Sequence, residues 1–200
     1  MSCQPVLELP VYIDFKSPAA YLALKPTLDL AQRWSLKLSW HPYLTSWAQV
    51  PEQQPDETRG ESHRRVRANA RRATHLHYAR VQGVEMHFAD AAPQTDLALS
   101  VLDQLPVNDR FVVLAFRACW VDQQDLNDAS VLRALLDASG LESDVRLDLE
   151  ADALQEQMTV ANLAANEAGV VDAPAYVIAD QVFVGREHLP WIEALISEAQ

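Results

Sequence analysis

The order of the predicted elements constrains this 200-residue chain more than any other feature, because strand-like patterns occur only near its two ends. Residues 11–15 predict a strand, 18–33 a helix and 36–44 a second strand that alternates apolar and polar side chains. A helical crossover between two strands implies a parallel pair. Near the other end, residues 175–180 and 181–185 predict two short strands, followed by a closing amphipathic helix. The sequence therefore predicts an α/β fold of order β-α-β, helical block, β-β-α.

The segment between the two strand regions is helical. Apolar periodicity and the positions of glycine and proline predict five helices, at 61–82, 94–105, 108–122, 128–139 and 145–168. Residues 45–60 are rich in proline, glutamine and acids and predict a loop. We therefore expect one domain formed by residues 1–45 and 170–200, interrupted by an all-helical insertion of residues 46–169.

The charge of the chain is unevenly distributed. A formal net charge of -12 argues against a general affinity for nucleic acid, because the phosphate backbone would be repelled. Between residues 59 and 80, however, seven arginines stand against one acid. Four basic side chains share one face of this predicted helix, at i, i+3, i+7 and i+11: Arg64, Arg67, Arg71 and His75. Such a face either attracts an anion, is simply solvated, or supports a dimer contact.

The two cysteines do not form a redox motif or a disulfide framework. Cys3 and Cys119 lie far apart, and no CxxC occurs. The N-terminus lacks the basic start and sustained apolar stretch of a signal peptide, so a cytoplasmic location is the expectation. Charges interrupt the apolar runs, and no transmembrane helix or membrane partner is expected.

Ser17 and Pro18 mark the change from the first strand to the first helix. Ser17 suits the N-cap of that helix, and Pro18 suits its first position, where a backbone N–H would be unpaired anyway. The Ser17 hydroxyl also lies beside the amide-rich end of the helix, where a thiolate or another anion is stabilised. Both interpretations are open at this point.

A second proline, Pro174, directly precedes the third strand. Proline is tolerated at a strand start, because no ladder N–H is lost there. Alternatively, the Ala173-Pro174 bond is cis and leaves the N–H and C=O of Ala173 free to pair with an extended peptide.

Five motifs in order along the chain resemble one family: DFKSPAAYLA, LSWHPYL, RACWVDQQDLNDASVLRALLDASGL, GVVDAPAYVI and FVGREHLPWIEAL. They are similar to the 2-hydroxychromene-2-carboxylate isomerases, relatives of kappa-class glutathione transferases and of DsbA-like thiol oxidoreductases. The resemblance covers nearly the whole chain and is weakest at 45–95. It implies a thioredoxin-like sheet with a large DsbA-like helical insertion, and glutathione bound between them.

The resemblance implies that Ser17 is the catalytic residue. In the redox branch of this superfamily the first strand-helix turn carries Cys-Pro-X-Cys, whereas this chain has Ser17-Pro18-Ala19-Ala20. A dithiol cycle needs an attacking and a resolving thiol, so this turn cannot perform one. In the glutathione-dependent branch, a serine hydroxyl donates to the cofactor thiolate and, with the helix dipole, lowers the pKa of that thiol.

The resemblance also implies five glutathione contacts. The backbone of Ala173 and Pro174 would pair with the cysteinyl part of glutathione as a short added strand. Gly185 and Arg186, at the start of the last helix, would hold the γ-glutamyl carboxylate, and Glu187 would pair with its ammonium group. Without the resemblance, Glu187 reads equally well as an ordinary first-turn acid.

The reaction of the family implies an anionic substrate. A cyclic hemiketal and an open-chain trans-unsaturated keto acid are interconverted, and reversible thiolate addition would turn the conjugated double bond into a freely rotating single bond. Arg64, Arg67 and Arg71 would seat the carboxylate of such a small unsaturated or aromatic acid. Glutathione is thus the expected cofactor, as a bound thiol, with no metal, and a homodimer is the expected assembly.

Departures from the family pattern keep two alternatives open, a kappa-type glutathione transferase and a non-catalytic thioredoxin-like binding protein. Ala19 stands where an aromatic residue is common and Val184 where tryptophan is frequent. An asparagine often found after the second strand has no clear counterpart.

Other candidate sites carry less weight. Asp14 is either a general base near Ser17 or a buried, hydrogen-bonded group. His75 and His77 point away from each other at i and i+2 and lack a completing metal ligand. Ser17 as an acyl-transfer nucleophile lacks a GxSxG turn.

Overall fold

The computed structural model describes residues 7–47, 49–105, 107–141 and 145–199, and Cys3 and Pro106 lie outside these ranges. The elements in chain order are β1 (Glu8–Ile13), α1 (Pro18–Trp34), β2 (Lys37–Pro42), α2 (Arg59–Gln82), α3 (Asp96–Gln104), α4 (Asp109–Trp120), α5 (Ala129–Ala138), α6 (Ala151–Glu167), β3 (Ala175–Ile178), β4 (Gln181–Val184), a 3-10 turn (Arg186–His188) and α7 (Leu189–Ala199).

The described strands form one mixed sheet in the order β2-β1-β3-β4. β1 and β2 pair in parallel, from Glu8 opposite Lys37 to Ile13 opposite Pro42. β3 is antiparallel to both of its neighbours, β1 and β4. The predicted α/β class and the element order β-α-β, helical block, β-β-α are confirmed.

Several predicted boundaries differ from the observed ones, and the starts of β1 and α6 differ for identifiable reasons. β1 begins at Glu8 rather than at residue 11, although Pro10 lies within it. β3 pairs only with Val11 and Tyr12, so Pro10 removes no donor from that ladder.

The helix predicted from residue 145 begins only at Ala151. Val145, Leu147 and Leu149 pack against the core at every second position, which is the period of an extended segment. The backbone of Arg146 in this segment is bound by Gln104, whose Oε1 accepts from the Arg146 N–H at 3.0 Å.

Among the described residues, the larger of two clusters of buried side chains runs from the sheet into the helices. Its largest fully buried members come from both parts of the chain: Trp40, Trp120, Tyr176, Phe15, Phe111 and Phe116. Indole N–H groups connect the parts directly, because Trp120 donates to the Phe15 carbonyl at 2.8 Å and Trp40 to Asp109 Oδ1 at 2.8 Å. The division into residues 1–45 with 170–200 and 46–169 stays a prediction.

A proline inside α1 creates the link between α1 and α2. Pro26 has no N–H, so the carbonyl of Leu22 lacks its usual helical donor. Gln82, the last residue of α2, donates its side-chain N–H to that carbonyl at 3.1 Å. The bond therefore joins α2 to α1 at Leu22, a residue that lines a cleft beside the start of α1. Within the described residues, no helix is both long and apolar enough to cross a membrane.

We expect the energetic contribution of Gln82 to depend on Pro26. Gln82→Met removes the donor to Leu22, whereas Pro26→Ala restores a helical N–H to the same carbonyl. The loss of unfolding free energy caused by Gln82→Met should therefore be about 1 kcal/mol larger in the unmodified background than in the Pro26→Ala background. Urea unfolding of the four proteins measures this difference, and equal losses in both backgrounds would contradict the assignment.

Candidate functional site

A cleft of about 1210 Å³ lies between the start of α1, the loop after β2, one face of α2 and the turn after β4. All nine residues predicted as site residues line it: Ser17, Ala173, Pro174, Gly185, Arg186, Glu187, Arg64, Arg67 and Arg71. They come from four separate regions of the chain. The structure therefore brings the predicted residues together around one space.

Ser17 is the N-cap of α1 and also touches the opposite wall of the cleft. Its Oγ accepts from the Ala20 N–H at 3.2 Å, as a capping serine does. The same hydroxyl donates to the carbonyl of Ala173 at 3.0 Å. Capping thus uses an acceptor site of the oxygen and leaves its single hydrogen for a second partner, so the two interpretations of Ser17 are compatible.

The Ala173-Pro174 peptide bond is cis. The expectation that both polar groups of Ala173 are free is wrong, because each has a partner within the chain. The N–H of Ala173 donates to Asp172 Oδ1 at 2.8 Å, and the C=O accepts from Ser17. A peptide that pairs with Ala173 must replace both partners.

The turn after β4 is tied to the cis proline and requires glycine. The N–H of Gly185 donates to the Pro174 carbonyl at 2.8 Å. Gly185 has φ +98° and ψ 149°, a conformation that side-chain-bearing residues rarely adopt. The carboxylate of Glu187 folds back against it and would collide with an added Cβ. Arg186 begins a 3-10 turn, and α7 starts at Leu189, three residues later than the helix start that we predicted.

Arg186 is held in place by an aromatic ring of α2 that the sequence motifs do not indicate. Its guanidinium carbon lies 3.9 Å from the centroid of the Tyr78 ring, a cation-π contact. Tyr78 follows Arg71 by seven residues and His75 by three, so the helical spacing already places it on the same face. This contact connects the turn after β4 with α2 across the cleft.

Three predicted arginines of α2 line the cleft without an acidic partner, and Arg72, whose guanidinium carbon lies 4.7 Å from the centroid of the Phe88 ring, is a fourth. Arg64, Arg67 and Arg71 form no ion pair with any acid in the part of the chain that the structure describes. Arg65 differs, because its guanidinium binds both carboxylate oxygens of Glu57, at 3.0 and 2.6 Å. The unpaired arginines are available to an anion, whereas Arg65 is already neutralised.

Aromatic side chains form the wall beyond the arginines. The ring of Phe88 lies 5.3 Å from that of Trp120 and 6.3 Å from that of Trp47, centroid to centroid. Trp47 and Phe88 line the cleft and provide an apolar surface that Ala19 cannot provide. His75 stacks on Phe88, and burial together with the charges of Arg186 and Arg71 lowers the pKa of its imidazole. A neutral His75 adds a hydrogen-bonding group rather than a further charge to the wall.

A buried carboxylate lies behind Ser17. Asp14 is fully buried, and its Oδ2 accepts from the N–H and the hydroxyl of Thr45 at 2.7 and 2.8 Å. Its Oδ1 accepts from the Thr95 hydroxyl at 2.8 Å and from the Lys16 N–H at 3.2 Å. These contacts favour the buried, hydrogen-bonded interpretation of Asp14 over the general base, because its lone pairs are engaged.

Cys119 does not provide a reactive thiol. It is buried, and burial followed by the nearby charge of Asp14 raises the pKa of the thiol to about 12. A thiol that remains protonated and inaccessible near neutral pH is a poor nucleophile. No group of side chains suited to hold a metal ion occurs among the described residues.

We expect Gly185→Ala to cost more stability than Gly140→Ala. Both glycines have positive φ, but a Cβ at Gly140 meets nothing within 4 Å, whereas one at Gly185 meets the Glu187 carboxylate. The excess loss should be about 1 kcal/mol or more in urea unfolding. Adding Glu187→Ala should recover part of the excess at Gly185, and no recovery would show that the collision is not its cause.

Comparisons with known proteins agree with the architecture. The family model described as the DSBA-like thioredoxin domain matches residues 8–197. A Sphingobium xenophagum protein named 2-hydroxychromene-2-carboxylate isomerase is 27% identical over 193 residues, covering 92% of this chain and 95% of that protein.

Solved structures share the fold. A 2-hydroxychromene-2-carboxylate isomerase superposes with a TM-score of 0.73 at 18% identity, covering 96% of each chain. The cytosolic disulfide reductase DsbM of Pseudomonas aeruginosa, in a structure with GSH, gives a TM-score of 0.59 at 16% identity, covering 96% of this chain and 98% of that one. The resemblance inferred from the motifs is confirmed, and this chain belongs to the DsbA-like thioredoxin family.

Proposed function

We propose that this protein is a glutathione-dependent isomerase of the 2-hydroxychromene-2-carboxylate isomerase type. The observation that carries the proposal is the contact between the Ser17 hydroxyl and the Ala173 carbonyl at the base of a cleft lined by unpaired arginines. The name of the Sphingobium relative supports the same class of reaction.

Ser17 would be activated by the binding of glutathione itself. The backbone of Ala173 would hold the cysteinyl part of glutathione: its carbonyl would accept from the cysteinyl N–H, and its N–H, released from Asp172, would donate to the cysteinyl C=O. The Ser17 hydrogen is thereby released from Ala173 and turns to the sulfur. Each hydrogen bond that breaks is replaced by another, so the exchange costs little, and the thiolate gains a donor at the N-terminus of α1.

Bound glutathione would supply a thiolate that adds reversibly to the conjugated double bond of the substrate, which would then rotate as a single bond before the thiolate leaves again. Arg64, Arg67 and Arg71 hold the carboxylate, while Trp47 and Phe88 contact the unsaturated or aromatic part.

Dithiol oxidoreductase chemistry is disfavoured at this site. The turn at residues 17–20 contains no sulfur, and Cys119 is buried with a raised thiol pKa. A kappa-type glutathione transferase would use the same thiolate but release a conjugate instead of an isomer. A non-catalytic binding protein would retain the frame without the chemistry. The cytoplasmic location and the homodimer stay predictions.

We expect Ser17→Ala to preserve the fold and glutathione binding but to weaken thiolate formation. Loss of the cap should lower the free energy of unfolding by about 1 kcal/mol. Loss of a hydrogen bond to a charged sulfur should raise the pKa of the bound thiol by about 1 or more, measured by ultraviolet thiolate absorbance against pH.

The matched control is Ser46→Ala, which removes the hydroxyl of another serine of the cleft. It should leave the thiol pKa unchanged. An unaltered pKa in Ser17→Ala would contradict the role of Ser17. Absence of saturable glutathione binding by the unmodified protein at millimolar concentration, read as no thermal shift, would contradict the proposed function as a whole.

We expect Arg67→Gln to raise KM for 2-hydroxychromene-2-carboxylate roughly fivefold with little change in kcat, because a partly solvated ion pair contributes at most about 1 kcal/mol. Arg65→Gln is the matched control, since Arg65 binds Glu57 instead of facing the anion. Steady-state kinetics of both variants measure the difference, and equal effects would show that Arg67 acts only through the general charge of α2.

A further inference from the structure

Lys16 is a buried cation in the wall of the cleft. Its side chain is only 10% exposed, and it lines the cleft beside Ser17, the next residue in the chain. The ammonium nitrogen lies 3.3 Å from Asp14 Oδ2 and 3.5 Å from the Thr95 hydroxyl. The first distance exceeds the roughly 2.7–2.9 Å that is usual for a hydrogen bond between charged groups, and the second exceeds the roughly 3.2 Å upper end of ordinary N–H···O bonds.

The contacts of Asp14 show that Lys16 is not needed to satisfy it. Neutral donors from Thr45 and Thr95 reach the carboxylate at 2.7 to 2.8 Å, closer than the ammonium does. The backbone N–H of Lys16 adds a further donor at 3.2 Å. The carboxylate therefore offsets the charge of Lys16 without using its hydrogen-bonding capacity.

The ammonium has more donors than partners. It carries three N–H groups, and only two acceptors, both distant, lie near it among the described residues. Removal of an ammonium from water costs several kcal/mol unless its hydrogen bonds are replaced. The remaining capacity can be satisfied only from the cleft side, by a group that accepts hydrogen bonds and preferably carries negative charge.

We propose that Lys16 is a second anion-binding group of this site, which pairs with the glutathione thiolate alongside Ser17. The inference rests on the proposed function and adds a residue to it. Ser17 supplies one hydroxyl donor, whereas Lys16 supplies an ammonium whose charge Asp14 offsets but whose N–H donors it leaves available. Asp14 and Thr95 hold the ammonium before the anion forms, so no reorganisation is required when the thiol loses its proton.

Two glutathione analogues isolate the charge at the sulfur position. Glutathione sulfonate is anionic there, and S-methylglutathione is neutral. We expect titration calorimetry to give a preference for the sulfonate that falls about tenfold in Lys16→Met, accompanied by a rise of about 1 in the pKa of bound glutathione. Because both ligands make the same peptide contacts, a general weakening of those contacts cancels in the ratio of the two affinities.

Lys25→Met is the matched control. Lys25 lies on α1, is 59% exposed and pairs with Asp29 outside the cleft. Its removal changes the net charge equally and should leave the preference intact. Lys16→Arg should retain part of the preference, because the charge remains. Circular dichroism and thermal unfolding establish that each variant is folded, and Lys16→Gln is judged by the same ratio if Lys16→Met does not fold.

An unchanged preference in folded Lys16→Met or Lys16→Gln would overturn the inference while leaving the proposed function intact, provided that reduced glutathione still binds. An equal fall in Lys25→Met would also overturn it, because the effect would then belong to net charge. Failure of the unmodified protein to bind reduced glutathione contradicts the proposed function first, and this inference with it.

Discussion

The buried carboxylate of Asp14 holds in place the segments that carry the site. Its oxygens accept from Thr45 in the loop after β2, from Thr95 at the start of α3 and from the backbone of Lys16. Thr95 occupies the N-cap position of α3, but its side chain makes no capping bond and its hydroxyl donates to Asp14. The N–H of Ser17 donates to the Asp14 carbonyl at 3.0 Å, so the position of the serine follows from the same residue.

Because Ser17 is held in this way, its single hydrogen would couple ligand binding to reactivity in the proposed mechanism. Ser17 can donate to the Ala173 carbonyl or to a sulfur, but not to both. A ligand that pairs with Ala173 therefore also frees the donor that the thiolate needs. Ala19 and Val184, which stand where relatives commonly carry aromatic residues, do not alter this coupling. They change the space around it, and Trp47 and Phe88 provide the aromatic surface on another wall.

The periodicity of apolar residues is sufficient to predict the order of the elements. It does not predict where every element begins. The segment containing Val145, Leu147 and Leu149 alternates apolar and polar residues as an extended segment does, but the helical pattern beginning at Ala151 follows it directly and extended the predicted helix to residue 145. Motifs predict the residues that line the cleft. They do not indicate Thr45 or Thr95, because those side chains contact Asp14 across long stretches of sequence. Lys16 lies inside the first motif, but the motif does not indicate that its ammonium lies near Thr95.

The proposed use of glutathione as a bound thiol would account for the electrostatics of the cleft. A dithiol enzyme carries its own sulfur atoms, whereas this chain has only Ser17 and two alanines around Pro18. A bound thiol must be deprotonated by its surroundings, so positive charge has to lie near it within a protein of net charge -12. Arginines three and four residues apart repel one another on a helix. The arginines of α2 that lack an acidic partner therefore destabilise the helix slightly, and in the proposed function an anion in the cleft would relieve this repulsion. The same positive field would draw anionic ligands toward a surface that would otherwise repel them.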